Sequence, residues 1–432
     1  MADARPFRAL RFGARRVDPA LTIAPPYDVI SVGEQRALYE RSPYNIVRVE
    51  YGEERAGDGE RDNRYTRAAR ALDAWRREGV LVRDDAPAIY RYRQEFVWAG
   101  ARHAREAYFA AVRLEPWERG VIKPHEHTLA TPKADRLHLL RATRTQVSPV
   151  YSLYRPTAGA HMRALCDGQG EALADFEADG QRHAISAVRD ATALAAFQEH
   201  IAMCDVYIAD GHHRYETALA YRDEVRARAS AWTGEEPENF VLMALTDAHD
   251  PGLLVLPTHR IVHVGEITQA QIERVGRSFR MDDVSSAPLD EALAMLRAAG
   301  EETRYLALGL RPGAKHLLTL RDRAGAEALM PEDQPDAWKR LDVSVLQYGV
   351  LRAVFGIDDP ALAAGGAVTY TQDASEAARA VETGEAAAAF LLNPTPVDQV
   401  LAVADAGARM PQKSTYFHPK LPTGLVMNVL ER

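Results

Sequence analysis

The spacing of apolar and β-branched residues along the chain predicts two β-hairpins. Residues 88–97 and 104–114 are strand-like and flank a Trp-Ala-Gly-Ala turn, and residues 305–310 and 316–320 repeat this arrangement around Arg-Pro-Gly-Ala. Runs of the same kind predict further strands at residues 46–51, 149–154, 240–246 and 253–264.

Apolar residues at helical spacing alternate with these strands. Their period predicts helices at residues 62–78, 190–201, 214–228, 290–299 and 339–355. Near the end of the chain, a strand at 367–371, a helix at 375–382, a buried strand at 386–392 and a helix at 396–406 are typical of a β-α-β unit. The mixture predicts an α+β fold with a C-terminal α/β region.

Length and local composition predict how the chain is divided. A chain of 432 residues is long enough for more than one domain. We expect an N-terminal region at 1–250 and a C-terminal α/β region at 251–432, packed against the first. A Gly/Ala/Asp-rich stretch at 156–184 and a Pro-rich, acidic stretch at 323–337 predict linkers or surface loops.

The overall composition is that of a soluble globular protein. Hydrophobic residues make up 47% of the chain and charged residues 26%, and the net charge of −8 works against binding to nucleic acid. Only two cysteines are present, and the longest apolar run is far shorter than a membrane span. The first residues lack the apolar stretch of a secretory signal. We therefore expect a cytoplasmic protein with no membrane segment.

Lysine is scarce, because only six of the 53 basic residues are lysines. Four of the six lie in two short stretches, one running from Lys123 to Lys133 and the other from Lys413 to Lys420. Lysine in these stretches is consistent with a requirement for a compact ammonium group, since the guanidinium of arginine is a planar fork of donors. Chance clustering explains the same pattern.

The most informative segment runs from a predicted strand directly into a predicted helix at Asp210-Gly211-His212-His213-Arg214. Asp210 suits an N-cap, and Gly211 permits a close approach of the backbone. The N–H groups of the helix start, with the side chains of His212, His213 and Arg214, predict a site for phosphate. The alternative is that Asp210 only caps the helix and the histidines hydrogen-bond locally.

This pentapeptide resembles the phosphate-binding turn of the ParB/sulfiredoxin superfamily, and archaeal free serine kinases carry the same five residues. The resemblance implies a ParB/sulfiredoxin-like core with a mixed sheet and large insertions. Over nearly its full length the chain also resembles the bacterial domain of unknown function 1015 (DUF1015) family. The motifs that carry this second resemblance lie at residues 24–31, 43–45, 125–128, 209–219, 256–260 and 410–417.

The resemblance to the serine kinases implies a catalytic role for Asp210. It also implies a nucleotide ligand, ATP or ADP with Mg2+, and no tightly bound cofactor. ParB proteins carry a Glu-Arg-Arg variant of the turn and sulfiredoxin a Cys-His-Arg variant, and this chain has neither. The difference argues against a CTP-gated DNA clamp and against a sulfinic-acid reductase.

The residue types also suit phosphoryl transfer in their own right. A transferring phosphoryl group requires positive charge, oriented N–H donors and a carboxylate that positions a hydroxyl group or a metal ion. The turn provides the donors and one carboxylate, and Glu126 is a candidate base outside the turn. The candidates for neutralising phosphate charge are Lys123, Lys133 and Lys413.

The sequence His125-Glu126-His127 permits a second interpretation, a metal site. Side chains two residues apart share one face of an extended segment, and two imidazoles can bind one ion. With His259 or His212 as third ligand and Glu126 as base, a metal-dependent hydrolase is an alternative. Contacts of His125 and His127 with a phosphate or substrate, or a loop held by hydrogen-bonded histidines, are the others.

Three further segments contain candidate substrate contacts. Tyr27 and Asp28 follow two prolines, and Asp28 is able to bind a substrate amine or to cap the next helix. His259 interrupts or ends a strand, so it lines a cleft or completes a sheet edge. Lys413, Ser414 and Thr415 resemble a phosphate or carboxylate cradle, although no P-loop glycines precede them. A purely structural tail is the alternative for that segment.

Together these features predict a phosphotransferase or phosphohydrolase that acts on a small serine-like metabolite. Its partners are expected to be that metabolite and a nucleotide. Two other functions stay open: a noncatalytic nucleotide-binding regulator of ParB type, and the metal-dependent hydrolase. The sequence leaves the substrate, the phosphate donor, the direction of the reaction and the oligomeric state undefined.

Overall fold

A computed structural model describes residues 1–128, 130–156, 170–300 and 302–431. The chain divides into two compact units. The first unit contains residues 1–124, 128–253 and 419–432, and the second contains residues 125–127 and 254–418. The domain boundary predicted at residue 250 stays a prediction.

The first unit contains strands β1–β12 and β21 and helices α1–α6. The strands are Ala4–Arg5, Leu10–Phe12, Leu81–Arg83, Ile89–Trp98, Ala101–Arg113, Ile122–Lys123, Thr145–Gln146, Val150–Arg155, Gly170–Ala178, Gln181–Val188, Asp205–Asp210 and Phe240–Asp247, with β21 at Asn428–Val429. The helices are Val32–Arg41, Val47–Glu50, Arg64–Arg77, Ala130–Thr143, Ala191–Ala202 and His212–Arg228.

Nine of these strands form one mixed sheet in the order β6-β11-β8-β12-β5-β4-β10-β9. Strand β1 pairs with the end of β5 that extends beyond β4. Strands β6 and β11 are parallel, as are β8 and β12, while the remaining neighbours are antiparallel. The mixed sheet and the helices confirm the α+β class, and the predicted hairpin corresponds to β4 and β5.

The C-terminal segment of the first unit is held by buried polar contacts. Arg105 on β5 is 1% exposed, and its Nη2 donates to the Pro419 carbonyl at 2.7 Å and to the Gln94 side chain at 2.5 Å. Strand β21 pairs with β7, and Met427 exchanges backbone hydrogen bonds with Leu10. Since buried carbonyls require donors, Arg105 fixes the point at which this segment begins.

The second unit contains strands β13–β20 and helices α7–α14. The strands are Leu254–Leu256, His259–Val262, Phe279–Asp283, Arg304–Leu308, Lys315–Leu320, Val368–Thr371, Ala388–Leu391 and Tyr416–His418. The helices are Gln269–Ser278, Leu289–Arg297, Arg323–Glu327, Asp336–Lys339, Asp342–Leu346, Asp359–Ala364, Ala374–Glu382 and Val397–Asp405.

Six strands of the second unit form a sheet in the order β15-β17-β16-β19-β14-β18. Strand β14 pairs antiparallel with both β18 and β19, so these two strands run in the same direction on either side of it. The predicted strand-helix-strand succession of β18, α13 and β19 is therefore a β-α-β unit split by β14. The hairpin predicted around Arg-Pro-Gly-Ala corresponds to β16 and β17.

Four predictions differ from the structure. Within the strand predicted at 46–51, Val47–Glu50 form the short helix α2, and Asn45 Oδ1 accepts the Val47 N–H at its start. The strand predicted at 253–264 is two strands separated at Pro257, which lacks an N–H donor. The helix predicted at 339–355 is interrupted at Leu341, whose backbone is extended, and continues from α11 into a π-helix at Gln347–Arg352. Residues 170–184 belong to the hairpin of β9 and β10, while residues 157–169 lie outside the described residues.

Among the described residues, no helix is both long enough and apolar enough to span a membrane.

The contacts of Arg105 predict the effect of removing it. Replacement by methionine (Arg105→Met) leaves the buried acceptors of Gln94 and Pro419 without this donor, so we expect the free energy of unfolding to fall by roughly 2–4 kcal/mol. Urea unfolding measures the change. Arg102→Met, on an exposed position of the same strand, serves as the control, and equal effects of the two substitutions would contradict the assigned role.

Candidate functional site

The candidate phosphate-binding turn joins strand β11 to helix α6. Strand β11 ends at Asp210, and the N-cap of α6 is Gly211 rather than the predicted Asp210. Gly211 has a φ of +93°, and a Cβ built there would lie 2.8 Å from Arg214 Nε. Both the left-handed backbone and the close approach of Arg214 therefore require glycine.

The carboxylate of Asp210 lies between two cations. Its Oδ1 accepts from Lys420 Nζ at 2.6 Å, and its Oδ2 accepts from Arg214 Nη2 at 2.5 Å. Burial alone would raise the pKa of Asp210, but the charges of Lys420 and Arg214 outweigh it and hold the pKa well below its ordinary value. Asp210 is therefore ionised throughout the physiological pH range.

Arg214 is held inside the first unit. Besides its contact with Asp210, its Nη1 donates to the Pro149 carbonyl, while its Nε is buried and has no hydrogen-bond partner among the described residues. Burial would lower the pKa of Arg214, but the charge of Asp210 raises it. The guanidinium thus orients Asp210 in this structure, and two of its nitrogens are already engaged.

The two histidines of the turn differ in exposure. His212 is 3% exposed, whereas His213 is half-buried on the first turn of α6. Burial lowers the pKa of His213 below 6.5, although the nearby carboxylates of Asp28 and Glu216 act in the opposite direction. His213 is therefore mainly neutral at pH 7, and a neutral imidazole is able to accept a proton.

Glu216 extends the polar surface along α6. Its Oε2 accepts from Lys133 Nζ at 2.8 Å and from Thr128 Oγ1 at 2.6 Å, and its Oε1 accepts from Trp117 Nε1 at 3.3 Å. Burial raises the pKa of Glu216, but the hydrogen bonds from Lys133 and Thr128 lower it overall. One predicted cation, Lys133, is thus brought to the helix that begins at the turn.

Tyr27 and Asp28 belong to the electrostatic surroundings of the turn. The charge of Asp28 acts on both His213 and Arg214, and Asp28 itself is exposed. The Tyr27 ring lies 4.1 Å from the guanidinium of Arg136. Burial raises the pKa of Tyr27, so its hydroxyl group stays protonated.

A small cavity of about 50 Å³ lies behind the turn and is lined in part by Glu50, Arg136, Ser148 and Arg214. Arg136 donates to the Glu50 carbonyl at 2.8 Å, and Ser148 donates to the Glu50 carboxylate at 3.0 Å. A space of this size holds one or two water molecules and excludes a nucleotide. The cavity is lined in part by charged residues, and it is too small to be the pocket for a nucleotide.

Lys123 is placed at the opposite end of strand β11. Its Nζ lies 2.9 Å from Asp205 Oδ1 and 5.2 Å from the centre of the Tyr207 ring. Arg155 contacts the same carboxylate at 3.0 Å. Asp205 and Asp210 therefore form a matched pair, since each is a carboxylate at one end of β11 held by two cations.

The second unit contains the other seven candidates, and it brings two of their segments together. His125 is 2% exposed, its Nε2 lies 3.1 Å from Thr415 Oγ1, and its carbonyl accepts from Met410 N at 2.8 Å. Its ring also lies 6.2 Å from the Phe417 ring. These contacts hold His125 against the segment that contains Thr415.

His259 and Lys413 lie in neighbouring segments of the same unit. His259 is buried, accepts the Leu392 N–H at 3.2 Å, and has its pKa lowered to about 4 by burial and by the charge of Arg260. Lys413 is exposed, has a φ of +57°, and accepts through its carbonyl from Arg260 Nη2 at 3.2 Å. Ser414 is buried, and its hydroxyl group donates to the Pro411 carbonyl.

Glu126 is half-buried and His127 is exposed. The part of the chain that the structure describes contains no group of three His, Cys, Asp or Glu side chains arranged to hold a metal ion. The predicted third ligand, His259, instead accepts a backbone hydrogen bond. The metal-hydrolase alternative therefore lacks the ligand set that it requires.

Sequence reasoning missed Lys420 and Glu216 as members of the site. The scarcity of lysine was the signal for Lys420, because it ends one of the two stretches in which lysines are concentrated. Nothing local indicates its partner, since 210 positions separate it from Asp210. Glu216 was visible only as the residue two positions after Arg214 in the same helix.

Several solved structures share some structural similarity with this chain. A conserved hypothetical protein from Pyrococcus furiosus has 13% identity and a TM-score of 0.35, with 75% of this chain and 95% of that chain covered. A free serine kinase in complex with AMP has 12% identity and a TM-score of 0.35, with 74% and 92% covered. SbnI with C-terminal truncation from Staphylococcus aureus has 10% identity and a TM-score of 0.34, with 75% and 89% covered. Similarity at this level assigns no activity to this chain.

No curated protein matches the chain significantly in sequence. The family model described as "Protein of unknown function (DUF1015)" matches residues 4–344, which is more than half of the chain. This match confirms the resemblance predicted from the motifs, whereas the ParB/sulfiredoxin-like description of the core stays a prediction. The chain belongs to the DUF1015 family.

Proposed function

We propose that the first unit binds a phosphate group at the turn between β11 and α6 and transfers it to or from a small serine-like metabolite. The observation that carries this proposal is the carboxylate of Asp210, held ionised between Lys420 and Arg214 at the start of a 17-residue helix. A carboxylate, cations and a helix N-terminus are the parts that phosphoryl transfer requires.

The charges at the turn favour an anion. Lys420 and Arg214 carry two positive charges and Asp210 carries one negative charge, so these three side chains retain one positive charge, while the carboxylates of Asp28 and Glu50 also act on Arg214. The N-terminus of α6 adds the positive end of its dipole. Lys420 is the better candidate for a direct phosphate contact, because its ammonium has three donors, whereas the Arg214 guanidinium packs on Gly211 and has two nitrogens already engaged.

The two titratable groups of the turn suit different tasks. A carboxylate with a strongly lowered pKa is a poor base, so Asp210 positions charge. His213 is neutral at pH 7 and suits the role of base. In the kinase direction, the substrate hydroxyl oxygen forms a new bond to the terminal phosphorus, the bond from that phosphorus to the nucleoside diphosphate oxygen breaks, and the hydroxyl proton passes to His213.

Other candidates complete the proposed site. The exposed carboxylate of Asp28 suits the ammonium group of a serine-like substrate, since its charge already acts on His213. Mg2+ is commonly bound by one or two carboxylates together with substrate phosphates, and Asp210 would bind it only by exchanging Lys420 or Arg214 for the metal ion. The candidates of the second unit stay predictions. Glu126 is a predicted base, and the predicted substrate or phosphate contacts are His125, His127, His259, Lys413, Ser414 and Thr415.

Ligand-dependent stability of the full chain tests the proposal. A native-state ligand raises the melting temperature by mass action. We expect ATP or ADP with Mg2+ to raise it, and serine with ATP to give ADP and phosphoserine. Binding without turnover would favour the noncatalytic nucleotide-binding regulator. If nucleotides, serine and phosphoserine all leave the melting temperature unchanged, the proposal is wrong.

The matched carboxylates of β11 allow a specific prediction. Asp210→Asn removes the charge that positions Lys420, so we expect turnover to fall by at least about 100-fold, as for groups that position charge in the transition state. Asp205→Asn removes a carboxylate with two cation partners from the same strand and should leave turnover within about twofold, because its effect is confined to a partly exposed ion pair. Steady-state kinetics compares the variants, and similar losses in both would exclude a special role for Asp210.

The lowered pKa of His213 predicts the pH dependence of the reaction. A base must be unprotonated, so kcat/KM should be constant through neutral pH and fall on the acidic side, with a midpoint below 6.5. His213→Asn should lower kcat/KM at pH 7.5 and abolish this acidic limb. A pH profile of both proteins measures the effect. An unchanged limb in His213→Asn would assign the titration to another group.

A further inference from the structure

Among the residues that the structure describes, one buried cation of the second unit has no carboxylate partner. Arg260 on β14 is 3% exposed, yet among the described residues it contacts the carbonyls of Thr258 and Lys413 and the ring of Tyr370, 5.5 Å from the guanidinium. Among the described residues it has no acidic partner. Burial lowers its pKa to about 10, because a buried charge without an anion is unfavourable.

The surroundings of Arg260 are apolar. In the sheet it lies opposite Tyr370 on one side and Phe390 on the other. A guanidinium has five N–H donors, and the described residues accept two hydrogen bonds from Arg260, which leaves three donors for other acceptors. In a weakly polar environment, such donors interact strongly with any anion that reaches them.

Thr258 provides a second, independent observation. Its hydroxyl group is buried and has no hydrogen-bond partner in the described parts of the chain. Thr258 directly precedes β14, and Arg260 donates to the Thr258 carbonyl. The guanidinium therefore contacts the same residue whose hydroxyl group is unpaired.

The same segment excludes His259 from this face. The His259 imidazole accepts the Leu392 N–H, which fixes it on the opposite face of β14. Arg260 also holds the carbonyl of Lys413, so the loop that contains this lysine is tied to the guanidinium.

We propose that Thr258 and Arg260 form a binding site for a small oxyanion, a carboxylate or a phosphate group, in the second unit. The planar fork of arginine matches the oxygens of either group, and the threonine hydroxyl donates to the same oxyanion. The site is independent of the proposed phosphate-binding turn, because all of its groups belong to the second unit.

Two buried threonines of the second unit allow a matched test. Thr258→Val removes a hydroxyl group without a protein partner, so it should leave the free energy of unfolding unchanged or raise it. It should weaken oxyanion binding by about tenfold, the effect of losing one hydrogen bond to a charged group. Thr319→Val removes a hydroxyl group that accepts from Arg304 Nε at 3.1 Å, so it should lower stability and leave binding unchanged.

Calorimetric titration of the full chain measures the binding. Inorganic phosphate and acetate are titrated separately, at an ionic strength held constant with sodium chloride, so that the measurement shows which of the two anions binds. The titrations are made in Lys420→Met, which removes the proposed phosphate contact of the turn, so that binding at the turn does not contribute to the result. We expect saturable binding of at least one anion, weakened by Thr258→Val and lost in Arg260→Met. Absence of saturable binding of both anions, or affinity unchanged in Thr258→Val, would overturn the proposal.

Discussion

The half-buried carboxylate of Asp210 is the group on which the candidate site depends. A buried carboxylate is unfavourable unless cations and hydrogen bonds compensate it. Here Arg214 comes from the following helix, and Lys420 comes from a segment 210 positions later in the chain. Arg105 holds the carbonyl of Pro419, which directly precedes Lys420. The ion pair therefore connects the turn to the C-terminal segment of the first unit. The site is complete only when that segment has packed against the rest of the unit.

The contrast between local and distant contacts explains what the sequence could predict. The two hairpins, most helices and the strand-to-helix turn depend on periodicity and turn residues, which are local properties. Helix α2 shows the limit of local prediction, because its β-branched residues favour a strand, yet they form a short helix that Asn45 contacts at its start. The N-cap at Gly211 depends on the packing of Arg214, and the partner of Lys420 depends on the topology of the sheet. Neither is encoded within a short window of sequence.

Two buried arginines illustrate how the same side chain acquires different roles. Arg214 has a carboxylate partner, and its pKa is raised, since Asp210 stabilises the charged form. Among the described residues, Arg260 contacts two carbonyls and a ring and has no acidic partner, and burial lowers its pKa. The first arginine is compensated by the protein and serves to orient another group. The second has a positive charge with no carboxylate beside it among the described residues, and an anion from solution would stabilise that charge. A buried charge without a partner of opposite sign therefore suits binding, whereas a paired one suits a structural role.

The same reasoning separates acid from base at the turn. Asp210 and His213 are three positions apart, and their surroundings lower the pKa of both groups. The lowered pKa leaves Asp210 charged and His213 uncharged at pH 7. Two cations keep Asp210 ionised, while partial burial keeps His213 neutral despite the carboxylates of Asp28 and Glu216. Groups whose surroundings maintain one as an anion and the other as a neutral base at pH 7 are suited to divided tasks in catalysis. The second cation adds a separate property. With Arg214 alone, the charge of Asp210 would be neutralised and no positive charge would remain, whereas Lys420 adds the positive charge that an incoming phosphate group requires.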